Sequence, residues 1–210
     1  MHNSIDQTFV RIKLVQLMSR PKNLQKTQEL YRVIARLFAS RGYHSTSMRE
    51  IAHELGMNKS SLYHYFTSKE DILFKLMNDA MDDALATLQD ICVTDVSPEE
   101  KLKKVLCFYT EYYAGDQERL ILLVNEMNSL NCESRSVLIE KQRRYVRLIQ
   151  SILKELADHG KMKQIDPAIA TFAFFGMVHY TVKWYHKDGP IPLYQLAQIF
   201  AEIFNKGILK

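Results

Sequence analysis

Turn-forming residues are scarce in this chain. It has 7 Gly and 5 Pro in 210 residues, which suits long helices. Cysteine is rarer still. Cys92, Cys107 and Cys132 are odd in number, widely spaced and without a C-x-x-C pair. That argues against a disulfide framework or a zinc site and fits buried thiols in a reducing cytoplasm. No run of about 18 apolar residues occurs, so no membrane span is expected. The N-terminal stretch carries Asp6 and interleaved charges, unlike a secretory signal. Catalytic signatures are also missing. The seven histidines form no H-E-x-x-H and no i, i+4 pair, and there is no G-x-S-x-G, P-loop or G-x-G-x-x-G. The expectation is a cytoplasmic protein without metal, cofactor or catalytic residue.

Hydrophobic residues make up 47% of the chain, enough for a substantial core. Charge is unevenly spread. Residues 1–70 carry 11 Lys/Arg against 5 Asp/Glu, a net of +6, while residues 71–210 carry 17 against 19, a net of −2. A basic end on a mildly acidic body fits contact with a polyanion, or simply a solvated basic face.

Almost every segment has a helical period, and no alternating run is long enough for a strand. From Thr27, which can cap a start, apolar residues fall at Leu30, Ile34, Leu37 and Phe38. Gly42 can end that helix in the left-handed conformation. Ser47 and Glu50 form a capping box before Ile51, Ala52 and Leu55. Gly56 breaks that helix. Asn58 can cap the next, which turns Leu62 and Phe66 inward. Ser68 with Asp71 opens a helix over about 69–90. Further helices are expected near 98–114, 117–130, 134–158, 167–186 and 193–206, with Pro98, Pro167 and Pro192 at tolerated first-turn positions.

Tyr63, His64 and Tyr65 stand in a row. Three adjacent aromatics on a helix point three ways, so at least one is exposed. A helix, a Gly-containing turn and a helix over residues 47–66 match a helix-turn-helix as well as an ordinary helical hairpin. The second helix leaves Lys59, Ser60, Tyr63 and His64 outside, types that bond phosphates or base edges.

The stretch "GYHSTSMREIAHELGMNKSSLYHYFTSKEDIL", residues 42–73, resembles the DNA-binding signature of the TetR family of bacterial repressors. Gly42, Tyr43, Thr46, Ile51, Ala52, Gly56, Leu62, Tyr63, Phe66, Lys69 and Glu70 carry the likeness. The resemblance implies an all-α homodimer with an N-terminal helix-turn-helix domain over 23–70 and a C-terminal ligand-binding and dimerisation domain over 71–210. Residues 1–22 would be an extension: with Arg20, Lys22 and Lys26 a basic arm, or else an added amphipathic helix, a mobile tail, or a leader before a true start at Met18. Tyr63 would meet a phosphate and His64 would face the bases. Tyr65 would touch the DNA backbone or pack inward. Lys69 would meet a phosphate at a helix N-terminus. Thr46 and Ser47 are caps that would also touch phosphate.

The C-terminal part resembles a branch of the same family. An apolar helix, then Trp184-Tyr185 followed by Gly189-Pro190, then a last amphipathic helix are its pattern. The branch regulates fatty-acid, aromatic-acid and steroid degradation and answers to acyl-coenzyme A thioesters. Phe108, Tyr112, Leu123, Met127, Tyr145, Phe172, Phe175 and His179 are candidates to line an acyl tunnel or are simply core. Glu126 would be a buried polar handle. Arg143, Arg144 and Arg147 would hold the ligand phosphates or form a solvated face. Gly176, costly inside a helix, would permit close approach of a helix or ligand. Leu193, Leu196, Ile199, Phe200, Ile203 and Phe204 would form the dimer stripe of the last helix. A DNA binder without an effector, an activator and, least, an enzyme are the alternatives.

Overall fold

The structure, a computed structural model, describes residues 22–210. The N-terminal arm therefore lies almost wholly outside the described residues. The described residues form nine α-helices: α1 Lys22–Arg41, α2 Met48–Glu54, α3 Lys59–Tyr65, α4 Lys69–Cys92, α5 Pro98–Gly115, α6 Gln117–Asn125, α7 Cys132–Asp158, α8 Pro167–His179 and α9 Leu193–Ile208. Short 3-10 turns span Met127–Ser129 and Tyr180–Lys183. Among the described residues the one β feature is an antiparallel bridge between Met162 and Leu209.

Local signals start and stop these helices. The Ser47 side chain accepts from Glu50 N–H at 3.3 Å, and the Glu50 carboxylate in turn accepts from Ser47 N–H at 2.7 Å. Asn58 caps α3 through Ser61 N–H, and Ser68 caps α4 through Asp71 N–H. Gly42, Gly56 and Gly160 carry positive φ of 87°, 62° and 68°, values L side chains adopt only at a cost.

Several expected boundaries move. α1 starts before Thr27. The helix expected over 117–130 ends at Asn125 and gives way to a 3-10 turn, and α7 starts at Cys132 because Asn131 caps it. α8 ends at His179, Pro192 is the residue before α9, and Gly207 lies within α9. Cys132 is exposed and not a buried thiol.

α1, α2 and α3 enclose Ile34, Phe38, Ile51, Leu62 and Phe66. The N-terminal half of α4 closes this small core with Ile72 and Leu73, and its remainder packs among α5, α6 and α7. α4 is thus shared by both halves of the molecule. The six expected dimer residues of α9 divide. Leu196, Phe200 and Phe204 are buried within the chain, where α9 lies along α5. Leu193 packs so closely that a Cβ built on Gly115 would lie 2.9 Å from its Cδ2. Ile199 is half-buried, and Ile203 is exposed.

Candidate nucleic-acid interface and ligand cavity

On α3, Lys59, Ser60, Tyr63, His64 and Tyr65 are all exposed, while Leu62 and Phe66 anchor the helix from below. The ammonium of Lys59 lies 5.8 Å from the Tyr63 ring centroid. Ser60 Oγ donates to the Asn58 side chain at 2.9 Å. Tyr65 remains 43% exposed, so of its two expected positions it takes the outward one. Ser47 is exposed at the head of α2.

Two expected phosphate contacts have other tasks. Thr46 is buried and donates its hydroxyl to Gly42 O at 2.8 Å. It holds the α1–α2 loop closed and offers no free donor. Lys69 donates Nζ to Tyr43 O at 2.9 Å and His44 O at 3.2 Å, and the ammonium lies 4.5 Å from the Tyr43 ring. It staples that loop to α4, which leaves one N–H of its three.

A cavity of about 470 Å³ opens between α4, α5, α6, α7 and α8. Its wall includes Leu123, Met127, Tyr145, Phe172, Phe175, Gly176 and His179, all expected from the sequence. Met81, Tyr109, Tyr113, Leu120, Val124, Gln142 and Val146 complete it and were not foreseen. The i, i+4 pair Tyr109 and Tyr113 was their clearest signal, since it presents two phenols on one face. Phe108 and Tyr112 lie off the cavity. Their rings pair with each other, and the Tyr112 hydroxyl donates to Ala80 O of α4.

The cavity wall contains no Lys, Arg, Asp or Glu. The Tyr113 hydroxyl donates to that of Tyr145, which donates to Met81 O, both at 3.0 Å. The Tyr109 hydroxyl lies 2.9 Å from His179 Nε2. Burial lowers the His179 pKa to about 4, so the ring is neutral near pH 7. Burial likewise raises the phenols of Tyr109, Tyr113 and Tyr145. The cavity is polar at points and uncharged throughout.

Three expected ligand contacts therefore change. Arg147 pairs with Glu140 at 2.6 Å and Arg143 with the same carboxylate at 3.7 Å, both well exposed. At 100° per residue, Gln142, Tyr145 and Val146 share the cavity side of α7 and Arg144 points away from it. Glu126 is not a pocket group either. It ends α6 and accepts from Ser129 Oγ at 2.7 Å. Ser129 Oγ is also 3.0 Å from His44 Nε2, and Asn131 N–H donates to Glu70 at 2.8 Å. This corner between α6 and α7 thus fastens the body to the loop and helix that frame α2 and α3. The polar run Asn128, Ser129, Asn131 marked a turn through which the expected helix was extended.

α8 is apolar all round, and so is one face more apolar than its intrachain partners can cover. Ala170, Thr171, Phe174 and Val178 are buried, whereas Ile169, Phe172 and Tyr180 are 66%, 58% and 65% exposed. Trp184 and Ile203 are exposed too, at 44% and 56%.

These features define a helix-turn-helix DNA-binding protein with a regulatory helical body. Family models agree. Residues 30–76 match bacterial regulatory proteins of the tetR family, and residues 95–208 match the tetracyclin repressor-like C-terminal domain. The chain belongs to the TetR family of transcriptional repressors. It is 29% identical to the fatty acid metabolism regulator protein of Bacillus subtilis (strain 168), over 90% of this chain and 96% of that one. It is 27% identical to the HTH-type transcriptional repressor KstR2 of Mycobacterium tuberculosis (strain ATCC 25618 / H37Rv), over 87% and 92%. Among solved structures, AibR in complex with isovaleryl coenzyme A and operator DNA superposes with a TM-score of 0.75 at 28% identity, over 84% and 96%. No described helix is long and apolar enough to cross a membrane.

Proposed function

We propose that the protein is a cytoplasmic, homodimeric repressor that holds a two-fold operator through α3 and is released when the acyl group of a coenzyme A thioester fills the cavity. The domains would be those expected, 23–70 for DNA and 71–210 for ligand and dimer. The uncharged cavity carries the reading. A free acid would leave its carboxylate among apolar side chains without a cation, and a drug-like amine would lack an anion. A thioester masks the acid. The cavity suits the acyl part alone: at about 30 Å³ per atom it holds roughly 15 non-hydrogen atoms, so the nucleotide would stay outside. AibR, bound to isovaleryl coenzyme A, supports the class.

The exposed face of α8, extended by Ile203, suits pairing with a second copy, because an apolar patch of this kind seldom stays in water. Gly176 lies in this face with nothing within 4 Å of a built Cβ, which allows a partner helix to come close. Two α3 helices would then meet half-sites one turn of DNA apart. Release follows as a population shift: α6 lines the cavity with one face and grips the His44 loop at its end, so a filled cavity favours another setting of the reading helices.

Fluorescence anisotropy of labelled operator tests this. Acyl-CoAs of several chain lengths should release the protein, and the matched free acids should not. Release by the acids at equal concentration, or by no thioester, would overturn the effector class.

A further inference from the structure

We infer that Tyr109 and His179 form a recognition point for one uncharged oxygen, a ketone or a hydroxyl, carried on the apolar body of the effector. The inference rests on the cavity being the effector site. It follows from counting protons in the wall. A phenol has one O–H and a neutral imidazole one N–H. The protons of Tyr113 and Tyr145 are spent, the first on the Tyr145 hydroxyl and the second on Met81 O. The Tyr109–His179 pair is different. It holds two protons and its single contact, 2.9 Å between the hydroxyl and Nε2, uses one. In one tautomer the phenol donates and Nδ1–H is spare. In the other Nε2–H donates and the phenol O–H is spare. Either way one proton is left over, and no other hydrogen-bond partner for His179 occurs among the described residues.

The pair is also held in place. The Phe175 ring stacks on His179 at 5.7 Å and 6°, and on Tyr109 at 5.1 Å and 27°. A donor fixed in an apolar wall favours an acceptor that needs no counter-charge. A carboxylate would be refused for the reason already given. The thioester carbonyl is a poor match by position. Tyr109, Tyr113, Tyr145 and Met81 are buried, while Val124, Gln142, Phe172 and Gly176 are the exposed lining residues. A thioester joined to a nucleotide outside would sit near the exposed set. The oxygen read by Tyr109 and His179 belongs further along the body. An alcohol would gain a second bond, donating to the lone pairs that Tyr113 keeps.

The test needs neither DNA nor coenzyme A. The full chain is titrated calorimetrically with tetralin, 1-tetralone, 1-tetralol and tetralin-1-carboxylate. Because each single variant leaves one proton at the pair, Tyr109→Phe and His179→Leu should each keep most of the preference for tetralone over tetralin. The double variant should lower that affinity ratio by about three- to tenfold, as loss of one neutral hydrogen bond does. An unchanged ratio in the double variant overturns the recognition point and leaves the cavity reading standing. In the wild type alone, a carboxylate bound as tightly as the ketone overturns it too, whether or not the double variant folds. If none of the four binds, both readings fall.

Discussion

The α3 face and the cavity follow opposite electrostatic plans. The face of α3 holds its polar and basic groups in water, where Lys59, Tyr63, His64 and Tyr65 are exposed. The cavity excludes full charges and keeps its one histidine neutral by burial. The contrast matches the two proposed partners. A polyanion is gripped by charges whose counterions are set free. A hydrophobe is held by area, with single hydrogen bonds deciding which one. The fastening between the surfaces follows a third plan, short polar bonds at the end of α6.

The contrast can be broken at several points. The largest effect is expected at α8. Ile169→Glu with Tyr180→Glu, on the proposed dimer face, should give monomers by light scattering and lower operator affinity 100-fold or more, since two linked half-sites bind far better than one. Dimers that persist would move the interface elsewhere.

His179 comes next. Its pKa is about 4 in the fold against 6.5 ordinarily. The unfolded chain therefore binds its proton first as pH falls. Stability from this residue is full above 6.5 and is lost between 6.5 and 4. At 1.36 kcal/mol per pH unit that loss is about 3 kcal/mol. Urea midpoints at pH 7 and pH 4.5 should drop less for His179→Leu than for the wild type. An equal drop would mean the ring is not held neutral.

For His64→Ala the expected cost is roughly 1–3 kcal/mol, confined to one position of each half-site if the ring reads a base. An equal loss on random DNA would give His64 a positioning role only. The subtlest test concerns the corner. Glu126→Gln should leave ligand affinity and ligand-free operator affinity nearly unchanged, yet weaken ligand-driven release several-fold, a coupling loss of about 1 kcal/mol. Release at wild-type efficiency would show that coupling runs through α4 alone.

Caps explain why the DNA-reading half was legible. Ser47 with Glu50, Asn58 with Ser61, and Ser68 with Asp71 each act over three residues, so neighbouring letters carry the geometry. The cavity is built from five helices, and no local pattern says which face of each turns inward. α9 has a single apolar stripe, which looked like a dimer seam, but Leu196, Phe200 and Phe204 are buried within the chain, where α9 lies along α5 and Phe204 meets Phe174 of α8. α8 has apolar residues on every side and therefore one side to spare. Periodicity detects a stripe; it does not detect surplus. Lys69 and Thr46 misled for a related reason. Their residue types suit phosphate, and only tertiary structure shows backbone carbonyls taking the hydroxyl proton of Thr46 and two of the three on Lys69.

The bonds joining His44 to Ser129 and Glu70 to Asn131 also bear on modularity. They make the reading head and the sensing body a matched pair, like a plug cut for one socket. A chimera carrying residues 27–76 of this chain on a relative's body that lacks a serine facing His44 and the turn that aims the Asn131 N–H at Glu70 should still find its operator yet respond feebly to the foreign ligand. Restoring that serine and that turn in the host should recover the response without any change to its ligand pocket.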